Sequence, residues 1–253
     1  MKITTFTIIS VLAACRLLGC ASLTDRTAIA GAQVITVREA YSNVFVVDSG
    51  DGRILIDAGY ERTASAVEAG LRGMGVDPST IQAVIVTHAH ADHAGGAAYF
   101  RQVFGSKIIV GEGDRAMIMA GRNEKLCATN SSAKSRLEKA QGERFTPFEP
   151  DLWIRESMDL GELVGIEGTV FPLAGHTEGS LVVTIGDAAF VGDLFRGSVV
   201  GSSAQTSFFM CDLAENTENI RQLLQGYPHV QTFFTGHFGA VSRQAVEKYI
   251  SEL

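Results

Sequence analysis

The sequence has no dense cluster of lysine and arginine. It carries 21 basic and 28 acidic residues, for a formal net charge of −7. Because the long-range field of such a protein repels a phosphate backbone, nucleic acid is not an expected partner. Hydrophobic residues make up 46% and charged residues 19% of the chain, which is typical of a folded protein and excludes wholesale disorder.

Cysteine is also scarce. The chain has four cysteines and no Cys-x-x-Cys pair, which argues against a zinc finger built from thiolates. If the N-terminal segment is removed, Cys127 and Cys211 are the two thiols of the folded part. An even pair in an oxidising compartment can form a disulfide, but the sequence alone gives no distance between them.

The sequence also lacks an unbroken apolar run of about 20 residues, which a lasting transmembrane helix would need. It begins instead with a short basic start, an apolar run over Ile3–Ala14 and small residues before Cys20. This pattern resembles a bacterial lipoprotein signal that is cut before Cys20, which then carries the lipid. Cys15 ends a second such motif, and an ordinary secretory signal is the alternative. Residues 1–20 are predicted to be this signal.

The rest of the chain is predicted to be a single exported domain over residues 21–253. It would lie in the cell envelope, in the periplasm or held at the membrane by the lipid anchor alone. After a variable stretch at Ala21–Ala32, short apolar runs alternate with segments of helical period. Strands are expected at 34–37, 43–47, 53–56, 81–86, 107–110, one or two within 163–173, 181–185, 188–191 and 230–234, and helices at 63–74, 96–104, 114–121, 216–224 and 242–250. This alternation predicts an α/β layered fold.

The segment Thr87–Gly96, T-H-A-H-A-D-H-A-G-G, holds three of the six histidines. It directly follows the predicted strand at 81–86, and ligand sites in α/β sheets lie at the carboxyl ends of strands. In an extended segment, residues two apart point the same way, so His88 and His90 can reach one ion together. Asp92 and His93 would face another direction as the chain turns. The segment therefore predicts two metal positions.

Further candidates follow other predicted strand ends. His176 precedes the strand at 181–185, Asp193 follows its hairpin partner, and His237 follows the strand at 230–234. Asp57 also follows a strand, and is either an ordinary turn residue or a carboxylate that orients a metal-binding histidine. His229, a lone histidine in Y-P-H-V, is interpreted as a surface residue or a satisfied core residue rather than a ligand.

Together these motifs resemble those of the metallo-β-lactamase superfamily. Thr87–His93 matches its H-x-H-x-D-H signature, and A-G-H-T-E-G-S, G-D-L-F and T-G-H-F follow in the same order. The resemblance implies a four-layer αβ/βα sandwich with a dinuclear site between two sheets. By position, it assigns His88, His90 and His176 to one metal, Asp92, His93 and His237 to the other, and Asp193 to a bridge between them.

The metals are expected to be two zinc ions, although iron or manganese would suit the same ligands. A hydroxide bridging them would be the nucleophile, with Asp92 orienting it or passing a proton to the leaving group, so Asp92 and Asp193 are the expected catalytic carboxylates. The predicted reaction is hydrolysis of a small ester, thioester, lactone or amide.

Several alternatives remain. Zinc β-lactamases usually carry Cys or Ser where this chain has Asp193, which disfavours a β-lactam substrate. Glyoxalase II-like enzymes add a C-terminal helical region for glutathione, whereas 16 residues follow His237 here. A persulfide dioxygenase-like oxidoreductase with a single iron, and a non-catalytic metal-bearing envelope protein, are further alternatives.

Two segments are predicted to determine specificity. Gly121–Pro150, with an exposed helix at 132–141, is interpreted as an insertion, and Gly197–Cys211 is uncharged and ends in Phe208, Phe209 and Met210. The second segment either lines a pocket for an apolar acyl group or is a surface loop anchored by core aromatics.

Overall fold

The computed structural model describes residues 23–253. The predicted signal, with Cys15 and Cys20, lies outside these residues. The strands are β1 (Leu23–Ile29), β2 (Ala32–Glu39), β3 (Ser42–Asp48), β4 (Arg53–Ile56), β5 (Ala83–Val86), β6 (Lys107–Gly111), β7 (Leu152–Ile154), β8 (Met158–Asp159), β9 (Thr169–Pro172), β10 (Leu181–Ile185), β11 (Ala188–Gly192), β12 (Arg196–Gly197), β13 (Ala204–Gln205), β14 (Thr232–Thr235) and β15 (Val241–Ser242).

The helices are α1 (Ala64–Gly73), α2 (Ala91–Ala94), α3 (Ala97–Phe104), α4 (Arg115–Ala120), α5 (Ser131–Lys134), α6 (Leu137–Gly142), α7 (Leu160–Val164), α8 (Leu213–Gly226) and α9 (Arg243–Ser251). Within residues 23–253, no helix is long and apolar enough to cross a membrane.

Each half of the chain forms one large sheet. The first has the order β1 to β7, with an antiparallel meander from β1 to β4 and parallel pairs from β4 to β7. The second has the order β15-β14-β11-β10-β9-β8, in which only β11 and β14 pair in parallel. All four residues of β5 are buried, as expected for a parallel strand covered on both faces.

Three apolar clusters separate four layers. One lies between the sheets, where the rings of Phe45, Phe190 and Phe234 contact one another at 4.9–5.5 Å between centroids. A second packs the outer face of the first sheet against α1, α3 and α4, and a third packs the outer face of the second sheet against α8 and α9. These layers confirm the predicted αβ/βα sandwich.

Two local expectations were wrong, and a third was met in part of its range. The stretch interpreted as variable contains β1, an edge strand that is mostly exposed and therefore shows no apolar alternation. The expectation of one or two strands within 163–173 is confirmed by β9, whereas residues 163–164 end α7, which begins where the Asp159 carboxylate accepts a hydrogen bond from Gly161 N at 2.6 Å. The helix expected at 132–141 is divided into α5 and α6, because the helix is interrupted between Lys134 and Leu137.

Candidate metal centre

The histidine-rich segment passes from extended backbone to helix between His90 and Ala91. The chain is still extended at His90, with φ −70° and ψ 148°, and α2 begins at Ala91. His93 N then donates to His90 O at 2.9 Å. His88 consequently belongs to two groups of potential ligands, one with His90 and His176 and one with His93 and Asp193.

One group of potential ligands consists of His88, His90 and His176. Their ligand atoms lie within 4.8 Å of one another, and all three side chains are buried. Nε2 of His176 lies 3.0 Å from Nδ1 of His90. His176 reaches this position from the loop between β9 and β10, where Leu181 N donates to Thr87 O at 2.7 Å and holds the two halves together.

A second group consists of Asp92, His93 and His237. Asp193 lies between the two groups: its carboxylate oxygens are 3.1 Å from His237 Nε2, 3.8 Å from His93 Nε2 and 3.9 Å from His176 Nε2. Gly236 is required at this point, because a Cβ there would collide with the Asp193 carboxylate and the His93 ring. The structure thus brings together all seven predicted ligands.

Two oxygen acceptors fix the orientation of the histidines. Asp57 Oδ2 is 2.8 Å from His93 Nδ1, and its carboxylate also accepts from Thr87 N and Thr87 Oγ1. The carbonyl oxygen of Tyr41 is 2.7 Å from His237 Nδ1. In both rings this leaves Nε2 facing the cluster. Asp57 combines the two roles that its sequence context left open, because it also has a left-handed φ of 59°.

Asp114 is a buried residue that the sequence reasoning missed. Its carboxylate accepts hydrogen bonds from Ala89 N at 2.7 Å, from Gly179 N at 2.8 Å and from Thr177 Oγ1 at 3.0 Å. It therefore connects the loop of His88 and His90 to the loop of His176. Burial raises its pKa to about 6. Its position after β6, another strand end, was the signal available in the sequence.

The protonation states suit metal ligands. Burial and the neighbouring imidazoles lower the pKa of His88 and His90 well below the usual value, and burial lowers the pKa of His176 to about 4. These rings are therefore neutral at pH 7, as a ligand must be. Burial opposes a charge on Asp193 as well, but His237 and His93 hold the pKa of Asp193 far below its usual range.

His93 is the exception. Burial disfavours its charged form, but the carboxylates of Asp92 and Asp57 raise the pKa of His93 to about 10. Asp193 likewise raises the pKa of His237 against the effect of burial. The His93 imidazole therefore carries positive charge among the carboxylates in the metal-free protein, and a bound cation would take the place of its proton.

The buried polar atoms provide a direct test of whether cations fit. Within residues 23–253, Nε2 of His88, His90 and His93, Nδ1 of His176 and Oδ1 of Asp193 have no hydrogen-bond partner. A buried polar atom without a partner costs about 1–3 kcal/mol. Imidazole nitrogens and carboxylate oxygens are ligand atoms for zinc and related metals. The residues therefore fit a pair of divalent cations.

A cavity of about 320 Å³ opens onto this cluster. Its lining includes four members of the cluster, namely His90, Asp92, Asp193 and His237. We use the name cavity wall for residues 121–150 and 197–211, which contribute Leu126, Arg136, Lys139, Phe208 and Phe209 among others. Both segments predicted to determine specificity therefore line the cavity, whereas His229 is exposed and belongs to none of the ligand groups of the described residues.

The two segments of the cavity wall are joined to each other. Cys127 and Cys211 form a disulfide, the pairing that the sequence left open. Beside it, Met210 N donates to Cys127 O at 2.8 Å and Thr129 N donates to Phe208 O at 3.0 Å. These bonds fix Phe208 next to His237, with 6.3 Å between the ring centroids.

Comparisons with known proteins match this chain to one family model, to curated relatives and to solved structures of the same fold. A family model described as the metallo-beta-lactamase superfamily matches residues 37–231. Hydroxyacylglutathione hydrolase GloC from Haemophilus influenzae is 28% identical over 122 residues, which are 47% of this chain and 52% of that protein. Among solved structures, the metallo-beta-lactamase FIM-1 from Pseudomonas aeruginosa in its mono-zinc form aligns with a TM-score of 0.61 at 19% identity, covering 92% of this chain and 97% of that one.

A metallo-beta-lactamase family protein from Thermus thermophilus aligns with a TM-score of 0.62 at 18% identity, covering 88% of this chain and 79% of that one. At such identities the solved structures show a shared fold and nothing about substrate. The chain spans about half the length of the first curated relatives it matches, with 52%, 44% and 54% of their lengths covered.

Proposed function

The chain belongs to the metallo-beta-lactamase superfamily, and from this premise we propose that it is a metal-dependent hydrolase of a small carbonyl substrate. The substrate classes are esters, thioesters, lactones and amides. One observation carries the proposal: buried ring nitrogens without partners in the described residues belong to a cluster of histidines and aspartates, and His90, Asp92, Asp193 and His237 of that cluster line a cavity. A structural cluster would have no reason to open onto a cavity of ligand size.

The proposed ligand assignment follows the two groups of side chains. His88, His90 and His176 would hold one cation, Asp92, His93 and His237 a second, and Asp193 would contact both. Zinc is the default, because the set consists of imidazoles and carboxylates. Cations bound there would activate water as a nucleophile and polarise the carbonyl group to be attacked.

Asp92 is the proposed proton carrier. Its side chain lines the cavity and is 19% exposed, whereas the side chain of Asp193 is 7% exposed. Asp92 Oδ2 lies 3.6 Å from His237 Nε2 and 3.7 Å from His93 Nε2. A carboxylate at this place can accept a proton from water and return it to the leaving group. Asp193, held ionised by its neighbours, would instead position the two groups of ligands.

Thioesters are the first class to test, because a curated relative is named a hydroxyacylglutathione hydrolase. The purified protein should be loaded with zinc and assayed against thioesters, lactones, aryl esters, β-lactams and phosphodiesters. We expect thiol release from thioesters that stops with a chelator and returns with zinc. Hydrolysis that persists in both His93→Ala and Asp193→Ala would contradict the assignment. One iron and no zinc in the protein purified from its source would favour an oxidoreductase.

We further propose that the protein is exported and carries a lipid on Cys20. The Cys127–Cys211 disulfide supports an oxidising compartment. The test is fractionation of the source cells, with mass spectrometry of the N-terminal peptide. Cys20→Ala should release the protein from the membrane fraction, and Cys15→Ala serves as its control. Equal release by both variants would contradict lipidation at Cys20.

A further inference from the structure

Two cationic side chains of the cavity wall have no counterpart in the metal chemistry. Arg136 and Lys139 line the cavity from the start and the first turn of α6. Being three residues apart on a helix, they face the same side. Within residues 23–253, neither has a carboxylate within ion-pair distance, whereas the nearby Glu143 is paired with Arg62 at 2.8 Å. The same lining contains the carboxylates of Asp92 and Asp193, which belong to the candidate metal centre, and of the paired Glu143.

Arg136 is exposed, but its side chain is held beside the cavity, and its guanidinium donates to Ser132 Oγ at 3.1 Å. Its guanidinium lies over the ring of Phe208 at 5.1 Å and over the ring of Tyr41 at 5.7 Å. Phe208 in turn contacts His237, a member of the candidate metal centre. The guanidinium of Arg196, a residue that is 9% exposed, lies 4.5 Å from the centroid of the same Phe208 ring. Two guanidinium groups, of Arg136 and Arg196, thus lie against the ring of Phe208.

Side-chain amides fix α6 relative to the candidate metal centre. Asn123 Oδ1 accepts from Ala91 N, at the start of α2, at 2.8 Å, and its Nδ2 donates to Ala140 O at 3.0 Å. Gln141 Oε1 accepts from Leu126 N at 2.8 Å. A residue at the start of the metal-binding helix and one in α6 are therefore separated by a single side chain. The charged side chains of α6 are therefore held at a fixed distance from the candidate metal centre.

We propose that Arg136 and Lys139 bind a carboxylate carried by the substrate. The substrates would then be thioesters or esters with an apolar part against Leu126, Phe208 and Phe209 and a carboxylate a few bonds from the carbonyl that is attacked. Guanidinium and ammonium groups both bind carboxylates through charge-assisted hydrogen bonds. The substrate class rests on the proposed hydrolase function, but the binding of the carboxylate does not.

The test compares matched substrates that carry or lack a carboxylate. One pair is the S-benzoyl thioester of mercaptopropanoate and that of mercaptopropanamide, with the charge on the leaving group. The other is the mono-S-ethyl thioester of adipate and S-ethyl thiohexanoate, with the charge on the acyl group. We expect one anionic member to be preferred in kcat/KM by about tenfold or more, and the preference to shrink in high salt.

Arg136→Gln with Lys139→Gln should lower this anionic-to-neutral ratio by about tenfold, chiefly through KM, and Lys139→Arg should retain most of it. The matched control is Lys134→Gln with Lys248→Gln, which removes the same charge from exposed positions that do not line the cavity. A ratio that falls equally in the control, or does not fall in the Arg136/Lys139 variant, would overturn the proposal.

A binding measurement separates this proposal from the proposed function. The uncleavable S-benzyl thioether of mercaptopropanoate and its amide can be titrated calorimetrically into metal-free and zinc-loaded protein. Tighter binding of the carboxylate, lost in the Arg136/Lys139 variant, supports the site even if no substrate is hydrolysed. Equal binding of acid and amide in both protein forms would contradict it even if hydrolysis is observed.

Discussion

The side chains of the candidate metal centre and those of the cavity wall stand on different kinds of structure. The ligands follow the ends of β5, β9, β11 and β14, and their backbones are tied across the two halves of the fold. Within the described residues, the regular structure of the cavity wall consists of short helices and the two-residue strands β12 and β13. A disulfide joins the two segments of this wall.

This difference separates chemistry from recognition. Geometry that must be accurate within a fraction of an ångström is placed on sheet ends that the core already fixes, while the surface that selects a substrate is placed on segments that can vary without disturbing the core. Changes in the candidate metal centre should therefore affect all substrates alike, whereas changes in the cavity wall should affect them selectively.

The largest effect is expected from the ligands themselves. His93→Ala should lose one cation and reduce kcat by more than about 100-fold on every substrate, because His93 belongs to the second group and lies 3.8 Å from Asp193. Metal content by mass spectrometry and kcat on two substrate classes measure this. His229→Ala, an exposed histidine, is the control. A loss confined to one substrate would break the proposed division.

A smaller effect is expected from Asp57, which touches His93 but faces away from the cavity. Asp57→Asn places an amide where His93 Nδ1 needs an acceptor, so metal affinity should fall by about 10- to 100-fold while the apparent KM stays near its original value. Competition with a zinc chelator measures the affinity. Asp51→Asn, in the exposed β3–β4 turn, is the matched control, and equal affinities in the two variants would be contrary to this expectation.

Asp114 is expected to affect stability more than turnover. Asp114→Ala leaves Ala89 N, Gly179 N and Thr177 Oγ1 without their acceptor, which should lower the free energy of unfolding by about 3 kcal/mol. Activity should fall by about tenfold as the two histidine loops lose their connection. Denaturant unfolding and kcat measure these changes. Asp114→Asn, which keeps one acceptor, should lie between; a neutral result for both would show that the loops hold each other without Asp114.

The smallest effect on turnover is expected from the disulfide. Replacing Cys127 and Cys211 together by Ser should cost about 2–4 kcal/mol of stability and raise KM a few-fold, with kcat and metal content unchanged. Thermal unfolding, metal analysis and kinetics of the double variant separate these effects. Loss of metal in this variant would mean that the cavity wall also supports the candidate metal centre, against the comparison drawn above.

The layered fold and the positions of all seven potential ligands were predictable, because strand periodicity and residues after strand ends are local signals. His88 and His90 needed only the strand at 81–86 and an extended backbone. Asp114 was missed because its role depends on contacts with Gly179 and Thr177, which are distant in sequence. β1 was missed because its pairing with β2 at a sheet edge does not require apolar residues.

By itself, the sequence determined which side chains can act as ligands and the order in which strands and helices alternate. Spacing sets which neighbours share a face, and residue type sets which atoms bind metal. Only the tertiary structure decided that Asp57 contacts His93, that Cys127 and Cys211 pair, and that Arg136 and Lys139 face the same cavity as Asp92. Such contacts depend on the packing of distant segments, and periodicity carries no information about distance across the fold.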